Sequence, residues 1–288
     1  MNDLSVKEEL ENKQMKPLER AEDWLSQVQV TPNRITPLNG LCNHVFLVEQ
    51  SHAPLRSILR LANYNSKNDL CPLANNAHQV IAFHRDAADL GLSPALLETD
   101  EKNGVMWMDF AGQVQPIGIS DLPEILPLLT RLHQSQLSWP FHGTEQQKSD
   151  PLRVKFLQNL LSSSYIGIAE RMLEQESRYK YSELPLIPVH SDLNPDNWVH
   201  DGQRWWIIDW DFAGLNFELW DVASMVISHG WSYDFAKNLV TPAQLNHLPW
   251  FCCHYALLSR DWHIRRGSDS CIIQNITRLI EQWSQWLK

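Results

Sequence analysis

The chain has 288 residues, 43% of them hydrophobic, with 34 acidic against 24 basic side chains and a formal net charge of -10. That length fills a sizeable core at about 150 residues per domain, the acidic balance argues against a phosphate-tracking nucleic-acid face, and no apolar run reaches the roughly 20 residues of a membrane span. Five cysteines (Cys42, Cys71, Cys252, Cys253, Cys271) include no CxxC pair and the start is too charged for a secretory signal, so a cytoplasmic protein without nucleic-acid or membrane partners is expected.

The first twenty residues alternate acids and bases, which predicts a peripheral arm or surface helix. From Ile35 onward, Asn39, Gly40 and Asn43 precede alternating apolar positions, and a second such run, SILRL, follows a break at 51–54. A helix is predicted over 75–90 from Val80, Phe83, Ala87 and Leu90, stopping at Gly91, with a strand pair near 96–97 and 105–110. These elements form a small β-rich lobe, residues 1–110. Asp121 reads as the N-cap of a helix carrying Ile125, Leu129 and Leu132, bent at Pro127, and one long helix is predicted over 152–179. Helical text resumes at Asp221 and Gln244, and Ile272, Ile276, Leu279, Ile280, Trp283 and Leu287 trace one stripe at the C-terminal end. Between these helices lie short strands at 187–189, 198–199 and 205–208. The expectation is an α+β chain of two lobes, the second, 111–288, larger and mostly helical, with a ligand cleft between them.

The strongest chemical text is HSDLNPDNW at 190–198, followed by Asp209 in IIDWDF. Seven acids (Asp192, Asp196, Asp201, Asp209, Asp211, Glu218, Asp221) stand against one base, Arg204, between His190 and Asp221. Such crowding is costly unless a positive group sits among the acids. Oxygen ligands from Asn and Asp suit a hard cation such as Mg²⁺, which keeps waters and takes further ligands from phosphates. One Asp to orient a hydroxyl proton, with an Asn and a second Asp for metal, is the working set of phosphoryl transfer, and Asp192, Asn197 and Asp209 fill it. Asn194, Pro195 and Asp196 taken singly are ordinary turn formers.

HSDLNPDN fits the HxDxxxxN pattern, and IIDWDF the metal-loop pattern, of the aminoglycoside phosphotransferase and choline/ethanolamine kinase superfamily, which the chain resembles over about 35–270. The resemblance implies a bilobal protein-kinase-like fold and use of ATP and Mg²⁺. It makes Asp192 the catalytic base, Asn197 and Asp209 the metal ligands, His190 a loop brace and Asp221 a support for the catalytic loop. In the first lobe LNGLCNHVF resembles the nucleotide loop, with Gly40 and Asn43 at the telling places, and Arg60 stands where this branch has a phosphate-reaching arginine. Trp107, Met108, Asp109 and Phe110 resemble the inter-lobe hinge that holds adenine. One departure stands out: the family's helix glutamate is missing, because 70–85 contain no acid, so Asp86 or a residue from elsewhere has to hold Arg60.

Thirteen tryptophans, six of them between Trp198 and Trp231, suggest an organic cation as guest, since aromatic faces and carboxylates both attract one. Asp211, Phe212, Glu218, Trp220, Tyr255 and Trp262 are the expected substrate contacts, while Trp205, Trp206, Trp283 and Trp286 are assigned to packing. The resemblance therefore implies a kinase of a small cationic alcohol, choline first, with thiamine, ethanolamine or an aminoglycoside as alternatives. A nucleotide-binding scaffold without turnover is the rival from another class.

Overall fold

A computed structural model describes residues 16–40, 42–63, 75–139 and 154–288. Residues 1–15 of the expected arm, Cys71 and the start of the helix predicted from 152 lie outside them.

Helix α1 (Pro17–Gln27) opens the described chain, and it is not peripheral. Ala21, Trp24 and Leu25 are buried under a sheet with Phe46, Val48, Leu59, Leu61 and Trp107, and Arg20 reaches across to donate to Ala62 O at 2.8 Å and Asn103 O at 2.6 Å. The apolar face, Ala21, Trp24 and Leu25, begins just past the twenty residues whose charge pattern suggested an arm. The sheet contains β1 (Arg34–Leu38), β2 (His44–Glu49), β3 (Arg56–Leu61), β4 (Leu96–Asp100) and β5 (Val105–Asp109), all antiparallel, in the order β1-β2-β3-β5-β4. Its alternating side chains serve two faces. Trp107 points to α1, with its indole N–H on Ser57 Oγ at 2.7 Å, whereas Met106 and Met108 pack with Val80 and Ile81 of α2 (Ala77–Asp89). Asn76 caps α2 by accepting from the Gln79 N–H, and Gly91 ends it in the left-handed region (φ 68°).

The second half begins with β6 (Gln113–Val114), reached through Gly112 at φ 98°. A Cβ there would lie 2.1 Å from His200 O, so only glycine lets this segment cross β8 (Trp198–His200). Strand β8 pairs in turn with β9 (Trp205–Ile207), while β7 (Ile187–Val189) pairs with β10 (Gly214–Asn216), a strand the sequence reading lacked. Helix α3 (Leu122–His133) runs through Pro127, and the Asp121 carboxylate accepts from Gly118 N–H rather than from α3. The predicted long helix is broken into α4 (Val154–Asn159) and α5 (Ile166–Tyr179). Ser163 explains the break: its hydroxyl donates to Leu160 O at 2.7 Å and accepts from Tyr165 N–H at 3.1 Å, diverting groups a helix would pair.

Helix α6 (Glu218–Ser228), starting three residues before the expected point, is buried from Leu219 to Ile227. Short turns α7 (Tyr233–Ala236) and α8 (Pro242–Leu245) lead to α9 (Leu248–Arg266), which packs on both α6 and α10 (Ser270–Ser284). Helix α10 buries Ile276, Leu279, Ile280 and Trp283 as the stripe predicts, and leaves Ile272 at 40% exposure. Much of the tryptophan excess is core: Trp198, Trp210, Trp250 and Trp283 are fully buried, and Trp205 nearly so. Trp206 and Trp286 instead lie outside the core, one under the Arg204 guanidinium and the other, 46% exposed, stacked on Tyr233.

His84 on α2 is buried, donates from Nε2 to Pro94 O at 2.9 Å, and is pushed down to about 4, chiefly by burial and in smaller part by the charge of Arg60. Above about pH 6.5 it is neutral folded or unfolded, and below that only the unfolded chain binds the proton. Stability is therefore expected to fall on acidification from about pH 6.5 towards 4, by up to roughly 1.4 kcal/mol per pH unit. Urea midpoints at pH 7 and 5 check this: His84→Gln should flatten the slope, and an unchanged slope would remove His84 as its source.

Candidate active site

Three short segments converge. The loop after β7 carries His190 to Asn197, the segment after β9 carries Asp209 and Asp211, and β3 with the β1–β2 turn supplies Arg60, Gly40 and Asn43.

The loop after β7 is fixed from beneath by Asp221, which is fully buried on α6. Its Oδ1 accepts from Ser191 N–H at 2.7 Å, and its Oδ2 from His190 N–H at 3.2 Å and His133 Nε2–H at 2.8 Å. Ser224 on the same helix accepts from Leu193 N–H at 3.0 Å. His190 braces the loop from the other side: its Nε2–H donates to Ile208 O at 3.0 Å while Nδ1 accepts from Asp192 N–H at 3.3 Å. A carbonyl can only accept, so this ring is the neutral Nε2–H tautomer. Burial, its largest perturbation, holds His190 below its ordinary value, in agreement.

Asp192 is thereby presented with both oxygens engaged. Oδ1 accepts from the Tyr255 hydroxyl of α9 at 3.0 Å and Oδ2 from Asn194 Nδ2 at 3.1 Å. Burial raises its carboxyl to about 6, against the lowering effect of those bonds. Asn197, buried, donates from Nδ2 to Asp192 O at 2.8 Å, and its own carbonyl accepts from Ile208 N–H at 3.0 Å, so the two loops are laced together. Asp209 follows at φ 66°, and Ser191, just before Asp192, is at φ 68°. Both are L-residues in the left-handed region, where a conformation costs on the order of 1–2 kcal/mol and persists only if its surroundings over-determine it.

Asp209 Oδ1 is buried without a hydrogen-bond partner, 3.7 Å from the Arg60 guanidinium. Burial, then the charge of Asp211, raises Asp209 to about 8, against the lowering effect of the Arg60 charge. Among the described residues no three His, Cys, Asp or Glu side chains form a metal cluster. An Asn and an Asp, the residue types at 197 and 209, are hard oxygen donors of the kind that suits a cation completing its shell with phosphate oxygens and water.

Arg60 resolves the departure noted in the sequence. It is buried on β3 and hydrogen-bonds Asp211 Oδ1, while Asn43 Nδ2 donates to Asp211 Oδ2 at 2.8 Å. Asp86 is not the partner, since its Oδ2 accepts from the Trp139 indole at 2.7 Å. Asp211, expected to face a substrate, is thus turned toward the first lobe's cation and turn, because a buried guanidinium draws the nearest carboxylate. Gly40 keeps that turn tight, since a Cβ there would meet Asn43 O at 2.5 Å. Of the expected hinge, Met108 and Trp107 are buried, Asp109 N–H is bonded to Ala95 O at 2.9 Å, and Phe110 lies under the Arg56 guanidinium at 3.9 Å.

The remaining expected substrate residues divide. Tyr255 reaches Asp192 and forms an edge pair, centroids 6.0 Å apart, with Trp220, which is itself buried in the core, and Phe212 is half-buried on the preceding segment. Glu218 is exposed at the start of α6. Trp262 has its face covered at 4.9 Å by Arg266, whose guanidinium also reaches Cys42 Sγ at 3.5 Å. Sequence reasoning missed Asn75, which donates from N and Nδ2 to Asp211 O and from Nδ2 to Ala213 O, because an Asn before a helix reads as nothing more than a cap.

The chain belongs to the Phosphotransferase enzyme family, whose sequence model matches residues 34–242. It is similar to the "Protein LicA homolog" of Mycoplasma capricolum subsp. capricolum, 22% identical over 179 residues, or 59% of this chain and 65% of that protein. The chain thus spans less than two thirds of that curated relative. Solved structures share the fold: a choline/ethanolamine kinase family protein from Mesorhizobium loti superposes with a TM-score of 0.68 at 19% identity, over 93% of this chain and 98% of that one. Choline kinase LicA from Streptococcus pneumoniae gives a TM-score of 0.68 at 16% identity, covering 94% and 100%. The bilobal kinase-like architecture expected from the sequence is therefore the one observed.

Because Asp221 takes three donors in a buried place, Asp221→Asn exchanges one acceptor oxygen for a donor facing donors. A loss of about 2–4 kcal/mol is expected in urea unfolding, and a variant as stable as the parent would show that the carboxylate does not hold the loop.

Proposed function

We propose that the chain transfers the γ-phosphoryl group of ATP, with Mg²⁺, to the hydroxyl of a small cationic alcohol, choline first among the candidates, in the cytoplasm. The single observation that carries this reading is the juxtaposition of Asp192, Asn197 and Asp209 on two laced loops, with Arg60 facing them from the other lobe.

In this reading the turn at Gly40 and Asn43 brings backbone N–H groups to the triphosphate, Arg60 meets its oxygens, and the segment Trp107, Met108, Asp109, Phe110 holds the base. Solved LicA in complex with AMP supports nucleotide use within the fold. Asn197 and Asp209 hold Mg²⁺, which when bound neutralises charge on the phosphates and relieves the raised Asp209 carboxyl. Asp192 accepts a hydrogen bond from the acceptor hydroxyl in place of the one from Tyr255, orienting that oxygen in line with the phosphorus and receiving its proton. His190 and Asp221 do not touch the reactants. They set where Asp192 stands.

The acceptor's cationic end lies against Tyr255, which is backed by the buried ring of Trp220, with Phe212 and Glu218 at the rim. Relatives named for LicA, and a fold shared with choline kinase LicA, favour choline over a polyamine sugar. Residues 1–110 and 111–288 serve as the nucleotide and acceptor lobes.

Asp192→Asn is expected to lower ATP-dependent phosphorylation by at least about 10²-fold in coupled ADP release. Across choline, ethanolamine, thiamine and kanamycin, choline should show the highest kcat/KM. Nucleotide binding with no turnover on any alcohol would leave a scaffold instead of an enzyme, and equal or absent choline turnover would reject the acceptor.

A further inference from the structure

Arg60 is 7% exposed, and a guanidinium that buried needs a carboxylate in contact. Helix α2, packed on the neighbouring strand β5, is the natural source of one, yet its two acids are elsewhere: Asp86 accepts from Trp139, and Asp89 is exposed. The position on α2 that feels Arg60's charge is His84, which is neutral and bonded to Pro94 O. The counter-ion comes instead from the far side of the cleft. Asp211 gives Oδ1 to Arg60 and Oδ2 to Asn43, and its backbone oxygen takes two bonds from Asn75, just ahead of α2.

We propose that Asp211 is the positioning residue for Arg60, and that its side chain ties β3 and the Gly40–Asn43 turn to the segment that carries Asp209, while its backbone oxygen ties the start of α2 to the same segment. The inference rests on the reading that Arg60 meets nucleotide phosphates. Its consequence is specific: the phosphate-binding arginine is set by the metal-side loop, so the nucleotide turn and the Asp209 segment move as a unit, and Arg60 is held by that segment's carboxylate rather than by an acid of α2. Both oxygens of this carboxylate face first-lobe donors, Oδ1 to Arg60 and Oδ2 to Asn43. Asp211 therefore acts on the nucleotide half of the reaction.

The test is a double-mutant cycle on the full chain, read by titration of fluorescent mant-ADP in EDTA, so that no ligand role toward metal contributes. Arg60→Met and Asp211→Asn are each expected to weaken metal-free binding about tenfold, the size of one charge-assisted phosphate contact. The double variant should bind no more weakly than either single one. Turnover should show a raised KM for ATP with the acceptor's KM unchanged. Unchanged metal-free affinity in D211N, losses that multiply in the double variant, or a raised acceptor KM alone would each overturn the proposal. Should D211N fail to fold, Asp211→Glu keeps the charge but displaces Arg60 by a methylene, and about a threefold loss of metal-free affinity is expected; full affinity would overturn it. Wild-type binding of mant-ADP without turnover of any alcohol sinks the proposed function and leaves this inference standing. Turnover with an additive cycle does the reverse, and no binding at all ends both.

Discussion

The repulsion among Asp192, Asp209 and Asp211 is the constraint to which the rest of the structure answers. Three carboxylates held in one cleft, two of them raised to about 6 and 8 chiefly by burial, are a destabilising arrangement that the chain keeps because its surroundings fix it. Asp211 is neutralised from within by Arg60. Asp192 is softened by the Tyr255 and Asn194 hydrogen bonds, and Asp209 is left with a buried oxygen that nothing in the described residues satisfies. The compensation is thus graded, from a hydrogen-bonded ion pair at Asp211 to the more distant charge of Arg60, 3.7 Å away, at Asp209. A site graded in this way attracts positive charge at one end while keeping an ionisable base at the other, which is the asymmetry phosphoryl transfer needs.

Holding the acids requires rigid backbone, and the fold supplies it by satisfying the loop's N–H groups from a helix rather than from water. Asp221 and Ser224, three residues apart on α6, take donors from His190, Ser191 and Leu193 in one stroke. The helical period puts those two side chains on the same face. His133 at the end of α3 closes on the same carboxylate, so three elements distant in sequence meet at one buried charge. With the loop so determined, Ser191 is held in the left-handed region and turns Asp192 out into the cleft.

How much of this was legible in the sequence follows from the range of each signal. The motif residues Asp192, Asn197 and Asp209 were legible because the spacing HxDxxxxN and the apolar strand before IIDWDF are local patterns, and the strands at 187–189 and 205–207 fall where the text put them. The β-lobe and the helical lobe were legible from period alone. Illegible were contacts that span the chain. The Arg60–Asp211 pair joins residues 151 apart, and Asp211, two residues past Asp209, looked like one more acid for a cationic guest. Helix α1 was overlooked for a different reason: its apolar stripe, Ala21, Trp24 and Leu25, is short and has meaning only once the sheet it covers exists. The broken helix at 160–165 was misread because Ser163 competes for backbone groups only in three dimensions.

Aromatic content was the weakest guide, and the structure shows the physical reason. A tryptophan is as good at filling a core as at receiving a cation, and four of the thirteen are fully buried. Even an aromatic face is not open by default: Arg266 already lies over Trp262 and reaches Cys42 in the β1–β2 turn. An incoming ammonium group would have to displace a guanidinium there, whereas half-buried Tyr255, backed by the buried ring of Trp220, has the Asp192 carboxylate as its hydrogen-bond partner. The sign of the nearest charge, more than the number of rings, decides which aromatic surface can hold a cation.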